Sequence, residues 1–295
     1  MPSLLQPLAT KYYIPIRDLL VTRQLESSTM TTHVGNWEGA SVLIKSVDPS
    51  QPTLKVTQAT KALVAEVASM ARIQHPNIVD FRGFSIARDT GLVCIAEFME
   101  GQTLRKLLDD KRRFAKLTWE TEKIDIAIDV CAALAYMHRL KPALIHRSVK
   151  ASKVLLSKDR KQAKLSGFGS SRDRSFEHEM TNKIGAVEWS APELIMEDED
   201  YTEKVDVYSF GVLLTELDTG DLPLVAAKAS MASAAFTNKL VSGALRPQLS
   251  RDCPHAIALI VRACLQSDAK IRPASSKVLT MLEDAKAELN AAYFV

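Results

Sequence analysis

Residues 146–169 constrain this chain more than any other stretch. They read His146-Arg147-Ser148-Val149-Lys150-Ala151-Ser152-Lys153, then Val154-Leu155-Leu156. After a charged turn at 157–161 the chain continues as Ala163-Lys164-Leu165-Ser166-Gly167-Phe168-Gly169. Two short apolar runs around a polar turn predict a hairpin. One loop leads into it and another leads out, so both loops meet at one end of the two strands.

The two loops resemble the catalytic centre of the eukaryotic protein kinases, whose catalytic loop reads H-R-D-L-x-x-x-N and whose metal loop reads D-F-G. By that resemblance Ser148 replaces the base Asp, Lys153 the metal-binding Asn and Gly167 the metal-binding Asp. Further landmarks follow in the family's order over residues 18–285. Val42-Leu43-Ile44-Lys45 is similar to V-A-I-K, which makes Lys45 the phosphate-holding lysine and Glu66 its helix partner. Outside the resemblance, the two read as a surface lysine and an exposed helix glutamate. The implied nucleotide pocket takes in Lys45, Glu66, Leu43, the gate residue Ala96, Met99 of the connector and Leu155. Met70, Phe81, His146 and Phe168 match the family's internal stack, so His146 reads as a packing residue rather than a catalyst. Ala191-Pro192-Glu193 matches the A-P-E anchor, and Arg272 matches the arginine that pairs with Glu193. Trp37, residues 185–193 and residues 208–214 are most similar to the tyrosine-kinase-like group.

Residues 170–190 match an activation segment. Ser170, Ser171, Ser175 and Thr181 are its candidate phosphate acceptors, and Arg147 is the guanidinium that would grip the phosphate with two parallel bonds. The same stretch reads equally as an unmodified loop.

Phosphoryl transfer rests on positioning and charge neutralisation. A serine hydroxyl at 148 does not take up the substrate proton as a carboxylate does. Gly167 offers magnesium no ligand, and Lys153 puts an ammonium where an octahedral cation wants oxygen. Each lost group typically costs a factor of about 10² or more in rate. The family's phosphate-loop glycines fall on Leu25, Ser27 and Met30, whose side chains hold the backbone off the phosphates. Leu43 adds three carbons to the family's Ala, against the adenine face. Ala186 replaces the threonine of Ser/Thr kinases.

Three functions follow from the resemblance. The leading one is an inactive kinase-like domain, a pseudokinase that binds other signalling proteins, an active kinase among them. The second is an unusual Ser/Thr kinase using Lys150 or Asp173. The third is a nucleotide sensor in which Lys45, Lys150 and Lys153 neutralise a triphosphate without metal. ATP is the ligand the family implies, the substitutions argue against magnesium, and no metal site is expected.

The chain has 295 residues, 46% apolar and 25% charged, ample for a sizeable core. A net charge of +3 is too mild to argue for nucleic acid or an anionic membrane. Lys111-Arg112-Arg113, the densest basic run, reads as a solvated loop. Cys94, Cys131, Cys253 and Cys264 have no C-x-x-C spacing, and three lie in apolar patterns, which suits a reducing, cytoplasmic compartment. Residues 1–10 lack the pattern of a secretory signal. No apolar run reaches the about 18 residues a bilayer span needs.

The expected fold class is α+β: a small lobe with a mostly antiparallel sheet and one helix, then a larger helical lobe. Residues 1–17, with Pro2, Pro7 and Pro15, read as an extended N-terminal lead-in. Residues 18–287 read as the kinase-like domain: small lobe 18–96, connector 97–101, large lobe 102–287. Residues 288–295 read as a tail. Within this frame, strands are expected at 40–47, 78–84 and 92–98. A helix at 57–73 carries Leu63, Val67, Met70 and Ala71 on one face, capped by Thr57 or Thr60. A long helix opened by Thr118 presents Ile124, Ala127, Cys131 and Leu134. Residues 204–217 should form a buried helix and 275–289 an amphipathic one.

Overall fold

A computed structural model describes residues 2–25, 30–173, 187–198 and 200–293. The chain divides into two compact units, Met1–Glu100 with Gly167–Ser171, and Gly101–Ser166 with Arg172–Val295.

The first unit is built on a five-stranded antiparallel sheet in the order β1-β2-β3-β5-β4. Its strands are β1 (Leu20–Leu25), β2 (Met30–Trp37), β3 (Ala40–Val47), β4 (Phe81–Ala87) and β5 (Gly91–Glu97). Strand β3 alternates. Val42 and Ile44 point to one face, where they are buried with Ile14, Val93 and Ile95. Leu43 and Lys45 point to the other. In the ladder Leu43 stands opposite Ala96, and Lys45 opposite Cys94. Strand β4 starts three residues later than expected from its apolar run, because Ile78 and Val79 are buried ahead of the ladder rather than in it.

Two expectations in this unit are corrected. The helix spans Thr53–Met70, so neither Thr57 nor Thr60 caps it. Both sit inside it, and each hydroxyl donates to the carbonyl four residues back, Thr53 and Val56 respectively. The lead-in is not extended. A 3-10 helix Ser3–Leu8 and a helical turn Ala9–Tyr12 fold against the unit. Leu5 is fully buried, the Tyr12 hydroxyl donates to the Ala71 carbonyl, and the Ile14 N–H donates to the Phe84 carbonyl. Burying a leucine is worth about 2 kcal/mol, which helps offset the ordering cost of a proline-punctuated segment.

The second unit is helical, with two small hairpins. Helix Lys204–Thr219 is buried along almost its whole length and is flanked by helices Glu122–Arg139, His255–Cys264 and Ser275–Tyr293. Helix Glu122–Arg139 is preceded by Thr121 at its N-cap rather than by Thr118; the Thr118 carbonyl instead accepts from the Lys123 N–H. The last helix runs four residues past its expected end. Strands β7 (Val154–Leu156) and β8 (Ala163–Leu165) form the hairpin that opens the sequence argument. Its turn closes through the Ser157 N–H to the Gln162 carbonyl and through Ser157 Oγ to Asp159. Strand β6 (Leu144–Ile145) pairs with β9 (Arg172–Asp173).

Candidate functional site

In the first unit the sheet face opposite the Val42–Ile44 core carries Lys45. Its ammonium lies 2.5 Å from Oε2 of Glu66, on helix Thr53–Met70. Burial pulls the Lys45 ammonium down, but the Glu66 carboxylate, their hydrogen bond and the Cys94 sulfur more than offset it, leaving the group raised. Leu43 is two residues away on the same face, half-buried, and Ala96 opposite it is buried. Met99 is buried too.

The stretch Gly167–Ser171 belongs to this unit. Gly167 adopts φ 85° and ψ 50°, a left-handed conformation that a glycine takes without strain. A Cβ on Gly169 would lie 3.6 Å from Oε2 of Glu66, so this backbone runs against the lysine–glutamate pair. Phe168 is fully buried. Ser170 is exposed, whereas Ser171 is only 4% exposed and donates its N–H to Phe168. That burial removes Ser171 as a phosphate acceptor in this conformation. Ser27, Ser175 and Thr181 lie outside the described residues. Leu25 and Met30, the other two glycine positions, end β1 and begin β2. Of the four stack positions, Met70, Phe81 and Phe168 are in this unit, and the Phe81 ring packs on Tyr12 at 5.2 Å between centroids.

In the second unit the loop 146–153 hangs from one buried carboxylate. Asp206, fully buried at the start of helix Lys204–Thr219, accepts from the His146 N–H on Oδ2 and the Arg147 N–H on Oδ1, each at 2.7 Å. His138 adds a third contact at 3.0 Å. Burial pushes the Asp206 carboxyl up. The hydrogen bond and charge of His138, with the charge and N–H of His146, outweigh it and hold the group below its ordinary range. His146 is buried as a strut. Its Nδ1 accepts from the Ser148 N–H at 3.3 Å, so its Nε2 donates to the Ser166 carbonyl at 3.0 Å. Arg147 is held at φ 63°, with its guanidinium 5.6 Å from the Tyr201 ring centre.

Lys153 ends the loop. Its carbonyl accepts from both the N–H and the hydroxyl of Ser166, at 2.8 and 2.9 Å. Leu155 follows in β7, half-buried. The Lys150 ammonium lies 5.4 Å from the Trp189 ring centre, a cation–π contact. Glu216, also on helix Lys204–Thr219, accepts from the Ala151 N–H, the Trp189 indole and Arg105. Burial raises the Glu216 carboxyl despite those donors. Farther off, Arg272 donates from both terminal nitrogens to both oxygens of Glu193, at 2.6 and 2.8 Å. Asp206 and Glu216 were not singled out from sequence. Their signal was available: acids inside a helix with no polar face.

A family model described as protein tyrosine and serine/threonine kinase matches residues 26–282. The chain belongs to this kinase family. Its two-unit α+β architecture is the family's bilobal fold. A probable serine/threonine-protein kinase of Dictyostelium discoideum is 32% identical over 96% of this chain and 30% of its own length. A serine/threonine/tyrosine-protein kinase of Arabidopsis thaliana is 34% identical over 74% of this chain and 53% of its own length. A putative serine/threonine-protein kinase/receptor of Acanthamoeba polyphaga mimivirus is 31% identical over 74% of this chain, but only 12% of its own length. The kinase-like domain thus spans between about an eighth and a half of these relatives. No helix among the described residues is long and apolar enough to cross a membrane.

Proposed function

We propose that this kinase-like domain is a pseudokinase of the tyrosine-kinase-like group, a cytoplasmic module that binds signalling proteins and transfers phosphate poorly or not at all. The observation that carries the reading is the donor set at the three positions where the family keeps its base and metal ligands. Ser148, Lys153 and Gly167 supply a hydroxyl, an ammonium and no side chain. Magnesium needs oxygens, carboxylate above all, so these residues do not fit it. The frame around them is retained: Asp206 carries the loop, and Glu193 meets Arg272. Such a frame supports a role in shape rather than turnover. In this reading the Met70, Phe81, His146 and Phe168 stack serves packing, and Arg147 with Ser170 remains the candidate phosphate-responsive pair.

The test is transfer of labelled γ-phosphate from ATP to the protein itself and to a generic substrate. No incorporation above background is expected. Incorporation that Lys45→Ala abolishes would overturn the reading.

The Lys45–Glu66 pair favours a second reading, in which ATP still binds. Lys45 keeps the charge and the partner that a phosphate-holding lysine needs, and the relatives named above carry kinase names. The arrangement predicts a rise in melting temperature with ATP that persists in chelator. A rise that appears only with magnesium would instead favour a working Ser/Thr kinase.

A further inference from the structure

The second unit carries a cavity of about 350 Å³ on its surface, away from the 146–153 loop's hydrogen-bond frame. Trp189 forms one wall, Leu222, Pro223 and Val225 the rim, and Glu188 with Lys228 the polar end. The apolar rim is held outward by a strained corner. Leu224 is a leucine at φ 60°, and it packs inward on the cluster of Ile195, Phe236 and Leu240. Its neighbours Leu222 and Val225 are left 47% and 56% exposed. Trp189 is a fixed wall, since its indole N–H is held by Glu216 at 2.8 Å and Lys150 covers its ring.

The polar end is incomplete. Glu188 is 8% exposed, its Oε1 accepts from Lys228, and its Oε2 has no hydrogen-bond partner among the described residues. A buried carboxylate oxygen without a donor is costly. The pair with Lys228 is already neutral overall, so a second full cation would meet the ammonium's repulsion. What suits the oxygen is one neutral N–H or O–H on an otherwise apolar group. Tryptophan and tyrosine have that chemistry, an apolar ring with a single polar donor.

We infer that this cavity receives a tryptophan or tyrosine side chain from a protein partner, its ring against Trp189, Leu222 and Val225 and its N–H or O–H donating to Oε2 of Glu188. Lys228, whose side chain is 57% exposed, is the group that yields as the ring enters. Aromatic anchors in such pockets dominate the energetics of many interfaces. The inference rests on the interaction role proposed above and gives it a partner chemistry.

The test uses the full chain with labelled leucine and valine methyls, titrated with the N-acetyl amides of tryptophan, tyrosine, phenylalanine and arginine. Saturable shifts at Leu222 and Val225 are expected with tryptophan and tyrosine. Phenylalanine, lacking the donor, should bind about tenfold more weakly. Val225→Glu, at an exposed position, should leave the melting temperature unchanged and abolish the shifts. In Glu188→Gln, Lys228 claims the remaining oxygen and the amide N–H₂ faces the cavity, so tryptophan should fall to the level of phenylalanine. Phenylalanine binding as well as tryptophan, arginine binding better, or no saturable shift with any probe would each overturn the inference. Phosphate transfer is measured separately. An active protein that binds tryptophan here sinks the pseudokinase reading alone, and an inactive one that binds nothing sinks only the docking site.

Discussion

Asp206 carries more of the loop geometry than any residue in the motif itself. Two backbone N–H groups converge on its two oxygens, and His138 reaches the same carboxylate. Asp206→Asn keeps the size and removes one acceptor, turning an N–H₂ toward a backbone N–H. A charged hydrogen bond is lost and a buried donor is left unmet, a cost of about 3 kcal/mol. Chemical denaturation should show a loss of that size with an unchanged slope, and a loss under 1 kcal/mol would refute the role. The pH dependence follows from the same group. Its folded carboxyl titrates below its unfolded one. Its contribution is therefore complete above the ordinary aspartate range of about 3.9 and fades as pH falls through the lower folded value. Lys45 acts with the opposite sign. Raised in the folded protein, it contributes fully below the ordinary lysine value and loses that contribution as pH climbs through its folded one.

Helix packing sets what the elements tolerate. Gly211 lies mid-helix in Lys204–Thr219, where glycine costs about 1 kcal/mol relative to alanine. A Cβ there would meet the Cys264 Cβ at 2.7 Å and Leu265 at 3.0 Å, atoms of a packed neighbouring segment rather than the far end of a flexible chain. Overpacking of that kind costs about 1–3 kcal/mol, so the clash outweighs the propensity gain. Gly211→Ala should lower stability by about 1 kcal/mol and Gly211→Val by more, read from thermal unfolding. A stabilised alanine variant would mean the two segments move apart freely. The same competition explains the helix starts. Thr57, Thr60 and Thr118 have good capping chemistry, yet helix Thr53–Met70 begins a turn earlier than expected and helix Glu122–Arg139 three residues later than Thr118.

Across the whole molecule the four cysteines report on cooperative unfolding. Cys94, Cys131 and Cys264 are buried, and burial pushes the Cys264 thiol up to about 12 against an ordinary 9.0. Cys253, half-buried, is pushed to about 12 by burial and the Asp218 charge. A rise of three units cuts the thiolate about a thousandfold. Iodoacetamide at pH 8 should therefore label less than one thiol per native chain and all four after unfolding. Rapid labelling of the native protein would contradict the packing described here.

The family, the β7–β8 hairpin, strand β3 and the buried helix were legible in the sequence. Each depends on short-range pattern: alternation along a strand, apolar residues all round a helix, fixed motif spacing. The replaced side chains Ser148, Lys153 and Gly167 were legible for the same reason, because chemistry at a motif position needs no coordinates. Three features came only with the tertiary structure: the folding of residues 2–17 onto the first unit, the buried Ser171, and the open oxygen of Glu188 beside an exposed Leu222 and Val225. Each depends on which distant surface a residue meets. Burial and hydrogen-bond satisfaction are properties of neighbours far apart along the chain, and local propensity carries no information about them.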